Sequence, residues 1–302
     1  MKVGIIYNET KAQSKQYVDL LREAILRISC ELTRCAWTVV DQRDASLPSL
    51  AEQVDMLISV GGDGTFLKSA YYAILNDIPV FGFNLGTFGL LTEFDAYDPE
   101  QCIRKLVSGN YIVEDRRTLK VEVRNRSGEL CFSEYALNDC VIERNALSGV
   151  AYISLSINGN YVDTYPCNGI VVATQTGSTA YSLSAGGPIV EPGNDVNVVT
   201  PVCAHSPDTR PIVTRVGSLL EFRLCRSHNS MFVSVDGHRN TEFKQDDLLL
   251  CMPCDKTLKI VRIDPPDFYE ALRRKSQERR RKLADETLST FCHPGFNPAG
   301  RD

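Results

Sequence analysis

Asp63 lies in the run Gly61-Gly62-Asp63-Gly64-Thr65, where a carboxylate is surrounded by small residues. In such a turn it can take a proton from an attacking hydroxyl or help hold a metal ion. The three glycines are free to take positive φ and let a ligand approach the main chain. The bare amides of the turn favour phosphate. A second cluster occupies residues 174–188, where small hydroxyl and glycine residues crowd around one tyrosine. Thr176, Ser178, Thr179 and Ser184 offer hydroxyl donors and acceptors, Gly177 permits close approach, and Tyr181 offers a face for a purine. A third signal is Asn138-Asp139 inside the apolar stretch 135–142. Two polar groups placed there need partners, and an amide beside a carboxylate suits the vicinal hydroxyls of a ribose. Each motif also has a plainer reading: a glycine-rich turn with a solvated Asp, a loop of ST-turns, and a two-residue turn.

The elements around Asp63 are legible. Met56 to Val60 is an apolar run that breaks at the glycines, and Phe66, Leu67, Ala70, Tyr71, Ile74 and Leu75 follow at helical spacing. This predicts strand, tight turn and helix, and in an open α/β sheet ligands bind at the carboxyl ends of the strands. Residues 2–7 read as a first strand, and Tyr17, Leu20, Leu21, Ala24, Ile25 and Ile28 as a helical stripe. Strands at 37–40 and 78–83 follow, the latter entering a second glycine-bearing loop at 84–92. Such β–α alternation predicts a largely parallel, covered sheet. Ile103, Leu106 and Val107 predict one more helix, ended by Gly109-Asn110.

Beyond it the pattern changes to short β-branched segments punctuated by Ser-Gly, Asn-Gly and Gly-Asn pairs. The expected organisation is an α/β domain over 1–99, completed by about 259–284 returning from the end of the chain, and a β-rich domain over 100–258. Residues 267–284 predict a polar helix with Asp267 as its cap. Its Arg273, Arg274, Lys275, Arg279, Arg280, Arg281 and Lys282 read as a solvated face, with an anion contact as the alternative. Residues 285–302, with Pro294, Gly295, Pro298 and Gly300, read as a flexible tail.

Bulk properties narrow the function. The 302 residues suffice for two cores, and 43% hydrophobic and 24% charged content is ordinary for a globular protein. A net charge of -5 and a pI near 5.5 argue against nucleic acid or anionic membrane as a partner. The first residues lack the layout of a signal peptide, and no stretch reaches the apolar length of a membrane span. The eleven scattered cysteines are odd in number and read as reduced core residues of a cytoplasmic protein. Cys251 and Cys254 form a lone CxxC with no second pair at zinc spacing.

At its three motifs the chain resembles the NAD kinase family. The resemblance is carried by Gly61-Gly62-Asp63-Gly64-Thr65, residues 84–91, Asn138-Asp139 and residues 176–188, more weakly by residues 205–212 and 234–237. The glycine-rich turn by itself is shared with lipid kinases and phosphofructokinases, so a lipid kinase and a non-catalytic NAD(P)-binding protein stand as alternatives at this point. The resemblance implies a doubly wound, Rossmann-like N-terminal domain and a β-sandwich-like C-terminal domain that also serves oligomerisation. It further implies transfer of the terminal phosphate of ATP, or of polyphosphate, to the 2′-hydroxyl of the adenosine ribose of NAD, with Mg²⁺ bound through the phosphates. Carried over, Asp63 looks like the general base and Gly64 lies beside the substrate. Asn138, Asp139 and Asn168 would contact the dinucleotide, Thr179, Ala180, Tyr181, Ser182, Leu183 and Ser184 would form the adenine wall, and His238 would be a further contact. Gly61, Gly62 and Thr65 complete the phosphate-facing turn. A cytoplasmic homo-oligomer, dimer or tetramer, is the implied assembly. Five positions depart from the family pattern: Asn168 where an aspartate is usual, Gln175 for a usual proline, Asp139 where many members carry glutamate, and Pro166 and Gly149 where members often carry longer polar side chains toward the ligand.

Overall fold

The computed structural model describes residues 1–33, 35–85, 91, 99–144, 149–227 and 230–291, without the side chains of 12, 279 and 282–291. The chain opens with β1 (Lys2–Tyr7), α1 (Ala12–Thr33), β2 (Thr38–Asp41), α2 (Leu47–Glu52), β3 (Met56–Gly61), α3 (Asp63–Asn76) and β4 (Val80–Asn84). Helix α4 (Pro99–Val107) and strand β5 (Ile112–Arg117) follow. Strands β1 to β4 pair in parallel, as expected where each connection is a helix crossing over the sheet. Every residue of β3 and β4 is buried, the signature of strands covered on both faces.

The helical stripes turn inward largely as their spacing demands. Val18, Leu21, Ile25 and Ile28 of α1 are fully buried, and Phe66, Leu67, Ala70, Ala73 and Ile74 of α3 cover the other face of the sheet. Leu20 and Leu75, expected inside, are exposed. Each lies just outside the buried arc of its helix.

The second half is built from β6 (Leu119–Arg124), β7 (Leu130–Ala136), β8 (Asp139–Arg144), β9 (Ala151–Ile157), β10 (Asn160–Cys167) and β11 (Gly169–Thr174). A short 3-10 turn (Gly177–Thr179) and α5 (Tyr181–Ser184) interrupt the strands. Then come β12 (Val196–Val202), β13 (Ile212–Arg215), β14 (Leu220–Arg226), β15 (Met231–Val235), β16 (Arg239–Phe243) and β17 (Leu248–Met252). These form two antiparallel sheets, ordered β10-β9-β14-β17-β6-β7 and β13-β12-β11-β8-β15-β16. One continuous core joins them, with Val121, Leu155, Phe222 and Leu249 from one sheet packed on Ile142, Val172, Val233 and Phe243 from the other. That is a β-sandwich, held by side chains alternating in and out along each strand.

The last strand, β18 (Thr257–Arg262), leaves the sandwich and inserts beside β4 in parallel, with β5 antiparallel on its outer side. Strand β5 therefore belongs to the first sheet, and the change of sheet falls near Thr118 instead of residue 100. The charged run Glu114-Asp115-Arg116-Arg117 hid this strand from pattern reading, because an edge strand tolerates charge. Strands β10, β13 and β16 also went unread, being short or polar and leaning on their neighbours. Helix α6 (Phe268–Phe291) closes the described chain. It begins where Asp267 accepts from the Tyr269 amide at 2.9 Å. It runs past residue 284, so residues 285–291, expected to be tail, are helical; 292–302 lie outside the described residues. Among the described residues no helix is long and apolar enough to cross a membrane.

Candidate active site

Gly61 is the last residue of β3, and Gly62 caps α3 in extended conformation (φ -100, ψ -171). The amides of Thr65 and Phe66 donate to the Gly62 carbonyl at 3.0 and 3.1 Å, closing the first helical turn. Asp63 thus stands in the first turn of α3, where the exposed amides and the helix dipole favour negative charge. None of the three glycines takes positive φ, contrary to the sequence expectation. Their reason is space. A Cβ on Gly61 would lie 2.8 Å from the Thr65 Cβ, whereas Gly62 and Gly64 have no atom within 4 Å of that position. Two of the three glycines therefore leave the turn open to a ligand.

Asn138 is not inside a strand. It lies in the bend where the chain passes from β7 in one sheet to β8 in the other. This sheet change leaves three consecutive amides without ladder partners, and the buried Asp236 carboxylate takes them all. Leu137, Asn138 and Asp139 donate to it at 2.9, 2.8 and 3.1 Å. The Asp236 amide donates in return to the Asp139 carbonyl at 3.0 Å. Asp236 and Gly237 both take positive φ (49 and 68), forming the tight hairpin turn between β15 and β16. The turn carries His238, whose Nε2 lies 3.5 Å from the Gly64 carbonyl. Residues far apart in sequence are so brought together: Gly64, His238, Asp236 and Asn138-Asp139. Burial pushes the Asp139 carboxyl up to about 7, with the charge of Asp236 adding to it. Burial also raises Asp236, against the three amides that favour its ionised form.

The hydroxyl-rich segment leaves β11 beside the same bend. Thr174 donates its amide to the Asn138 carbonyl at 2.9 Å and its hydroxyl to the Leu137 carbonyl at 2.5 Å. A Cβ on Gly177 would overlap the Asn138 carbonyl, so Gly177 serves an approach of chain to chain and not of chain to ligand. Ser178 Oγ donates to the Gln175 carbonyl at 2.7 Å and accepts from the Val190 amide at 3.0 Å. Ser182 Oγ pairs with Thr200 Oγ1 at 2.9 Å and is fully buried. These two serines fasten the loop, so their hydroxyls are not the adaptable ligand contacts that composition suggests. Tyr181, 40% exposed, is the side chain this frame presents outward, with Ser184 also exposed and Ala180 and Leu183 half-buried. Burial mainly raises the pKa of the Tyr181 phenol, with the nearby charges of Glu143, Cys203 and, least, Asp139 adding to it.

Asn168 does not join this cluster. It precedes β11, whose far end carries Thr174, and its amide donates to the Val202 carbonyl at 3.0 Å. Of the second glycine-bearing loop, Asn84 and Leu85 continue from β4; residues 86–90 and 92 lie outside the described residues. Asn84 is the register partner of Gly61, and the Leu85 amide donates to the Gly61 carbonyl at 3.2 Å. Asp236 and Lys275 were missed as site residues in the sequence. Lys275 Nζ approaches Asp63 Oδ2 at 3.9 Å. Asp236 could have been found from its Asp-Gly turn; nothing local marks Lys275 among its basic neighbours.

An α/β sheet with a carboxylate at a strand–helix turn, joined to a β-sandwich whose polar bend meets that turn through His238, suits a phosphotransferase acting on a nucleotide hydroxyl. Comparison with known proteins makes this specific. The model of the ATP-NAD kinase N-terminal domain matches residues 7–111, and that of the ATP-NAD kinase C-terminal domain matches residues 137–263. The chain belongs to the ATP-NAD kinase family. It is 34% identical over 285 residues to the NAD kinase of Ruminiclostridium cellulolyticum, covering 92% of this chain and 99% of that one. It is 36% identical over 282 residues to that of a Thermoanaerobacter species, at the same coverages. Among solved structures, an Archaeoglobus fulgidus NAD kinase in complex with ATP superposes with a TM-score of 0.72 at 25% identity, covering 91% of this chain and 99% of that one. Yeast NADH kinase complexed with NADH gives 0.76 at 22% identity, over 90% and 86% of the two chains, a likeness of fold. None of these comparisons supports a lipid kinase.

Proposed function

We infer that this chain transfers the terminal phosphate of ATP to the 2′-hydroxyl of the adenosine ribose of NAD, giving NADP. The observation that carries the reading is the convergence of the Asp63 turn on the Asn138-Asp139 bend through His238 and Asp236. A base on one wall and ribose-binding groups on the other are what a hydroxyl nucleophile needs. Asp63 takes the 2′-hydroxyl proton as its oxygen attacks the γ-phosphorus, and the bond from that phosphorus to the β-phosphate oxygen breaks, releasing ADP. Asn138 and Asp139 hold nucleoside hydroxyls. Tyr181 forms the adenine wall with Thr179, Ala180, Leu183 and Ser184, while the buried Ser182 anchors that wall through Thr200. Gly61, Gly62, Gly64 and Thr65 face the phosphates. His238 contacts the dinucleotide at the edge of the turn, and Asn168 serves a more distant part of it.

Among the described residues no group of three or more His, Cys, Asp or Glu is placed to hold a metal ion. Mg²⁺ would therefore enter with the phosphates of the donor nucleotide, over the turn that Gly62 and Gly64 leave open, with Asp63 kept for the proton. Bound with the nucleotide, it would neutralise charge on the donor phosphates. Assembly as a homo-oligomer, dimer or tetramer, in the cytoplasm completes the reading. Light scattering on the purified protein tests the assembly, and a monomer at working concentration would refute it.

The direct test is NADP formation from NAD, ATP and Mg²⁺, read by an NADP-specific dehydrogenase. Sustained NADP production is expected; NAD binding with no NADP formed would show a binding protein instead.

A further inference from the structure

Helix α6 brings a cation to the catalytic turn. Three basic residues follow one another at Arg273, Arg274 and Lys275, and their fates differ. Arg273 and Arg274 are exposed, and Arg274 pairs with Glu270 at 2.5 Å on the outer side of the helix. Lys275 lies four residues after the buried Ala271, hence on the inward face, and its side chain is 26% exposed. Contacts outside the helix hold it there. Tyr269 Oη donates to Glu191 Oε2 at 3.3 Å, in the segment that follows α5, and Lys275 Nζ reaches Asp63 Oδ2 at 3.9 Å. Helix α6 thus spans from the exit of the hydroxyl-rich segment to the catalytic turn.

The distance between Lys275 and Asp63 is informative. A closed charge-assisted hydrogen bond would measure about 2.7–2.9 Å. At 3.9 Å, with the Asp63 side chain 37% exposed, the ammonium is close enough to act on charge at the turn. A lysine ammonium carries three donors on a flexible stem and binds phosphate as a point charge. Beside it, Gly62 and Gly64 leave open space over the first turn of α3.

We propose that Lys275 contacts the transferring phosphoryl group of the donor nucleotide, beside the Asp63 carboxylate and without bonding to it. This rests on the reading of the chain as an NAD kinase with Asp63 as base. As the 2′-oxygen attacks, the charge on the equatorial phosphoryl oxygens is met by an ammonium already in place. No proton leaves Lys275; the hydroxyl proton goes to Asp63 and the electron pair of the breaking bond goes to ADP. A basic segment that looks like a solvated surface thereby contributes one side chain to the chemistry.

The test uses the full-length enzyme and begins with parent turnover, so that failure of the family reading shows first and separately. Lys275→Ala is expected to lower kcat about 10²-fold, the scale seen for loss of a single preorganised donor to a developing anion. NAD affinity and thermal stability should stay unchanged, and Lys275→Arg should recover part of the rate. The second measurement is affinity for a non-hydrolysable ATP analogue in the Asp63→Asn background, where the carboxylate charge through which an indirect lysine would act is gone. Weaker analogue binding in the Lys275→Ala, Asp63→Asn double variant than in Asp63→Asn supports direct phosphate contact. Equal affinity overturns the proposal, as does parent-like kcat in Lys275→Ala. If Lys275→Ala unfolds, Lys275→Gln serves in its place, with the same outcomes decisive.

Discussion

Asp63 stands on an open turn with an ammonium at 3.9 Å, while Asp139 is 6% exposed and shares its surroundings with a second buried carboxylate, Asp236. The two acids lie on either side of the His238 contact. Their surroundings assign them different work. Asp63 stands in the first turn of a helix with its side chain 37% exposed, where the proposed proton acceptor would meet an incoming hydroxyl. Asp139, in low dielectric beside a like charge, is pushed up to about 7 and can exist in either form near neutrality. The same contrast runs through the glycines. Gly64 faces open space where a ligand would come, and Gly177 is packed against the Asn138 carbonyl. One wall of the site is kept open for chemistry; the other is pinned shut by its own main chain so that the bend stays in place.

The strongest break of this contrast is Asp63→Asn. We expect NADP formation to fall by about 10²–10⁴-fold, with dinucleotide binding kept; parent-like turnover would remove Asp63 from the role of base. The glycine pair sharpens it next. Gly177→Ala should destabilise the protein by roughly 3 kcal/mol in urea unfolding, since a new methyl must displace a backbone carbonyl. Gly64→Ala should leave stability within about 0.5 kcal/mol and lower activity instead. Equal stability losses in the two variants would contradict the assignment of one glycine to packing and the other to access.

Protonation offers a further test. Asp139 is raised from an ordinary 3.8 to about 7, so between these values the folded state holds the proton and the unfolded state does not. Stability should therefore fall as pH rises from about 4 to 7 and level off above, the ionised form costing on the order of 4 kcal/mol. In Asp139→Asn that slope should shrink, as measured by unfolding at pH 5.5 and 8; an unchanged slope would place the proton elsewhere. NAD affinity should rise over the same interval, because the ionised carboxylate accepts from ribose hydroxyls. The smallest effect concerns Tyr181. Its truncation to Ala should weaken NAD binding by about 1–3 kcal/mol, the range for a base stacked on an aromatic ring, and Tyr181→Phe should retain most of it. Identical losses in both variants would point to the phenol and not the ring.

Much of the framework was legible in the residues themselves. The apolar run ending at Gly61 and the helical spacing from Phe66 predicted β3, the turn and α3, because a buried strand and an amphipathic helix carry different periods. The Asp267 cap, the short antiparallel strands and the return of β18 to the first sheet were readable on the same grounds. Strand β5 was not, because charged residues at a sheet edge look like loop. The serines of the second cluster were over-read: composition counts hydroxyls, but Ser178 and Ser182 use theirs on Val190 and Thr200.

The sequence by itself determined the motifs and the family they belong to, since local spacing and turn composition are written in neighbouring residues. Only the tertiary structure decided their company. Asp236 meets the bend at residues 137–139 from almost a hundred positions away, and Lys275 reaches Asp63 from more than two hundred. Burial and charge at those contacts depend on how the sheets and α6 pack. For that reason the pKa of Asp139 and the placement of one lysine among its neighbours belong to the fold.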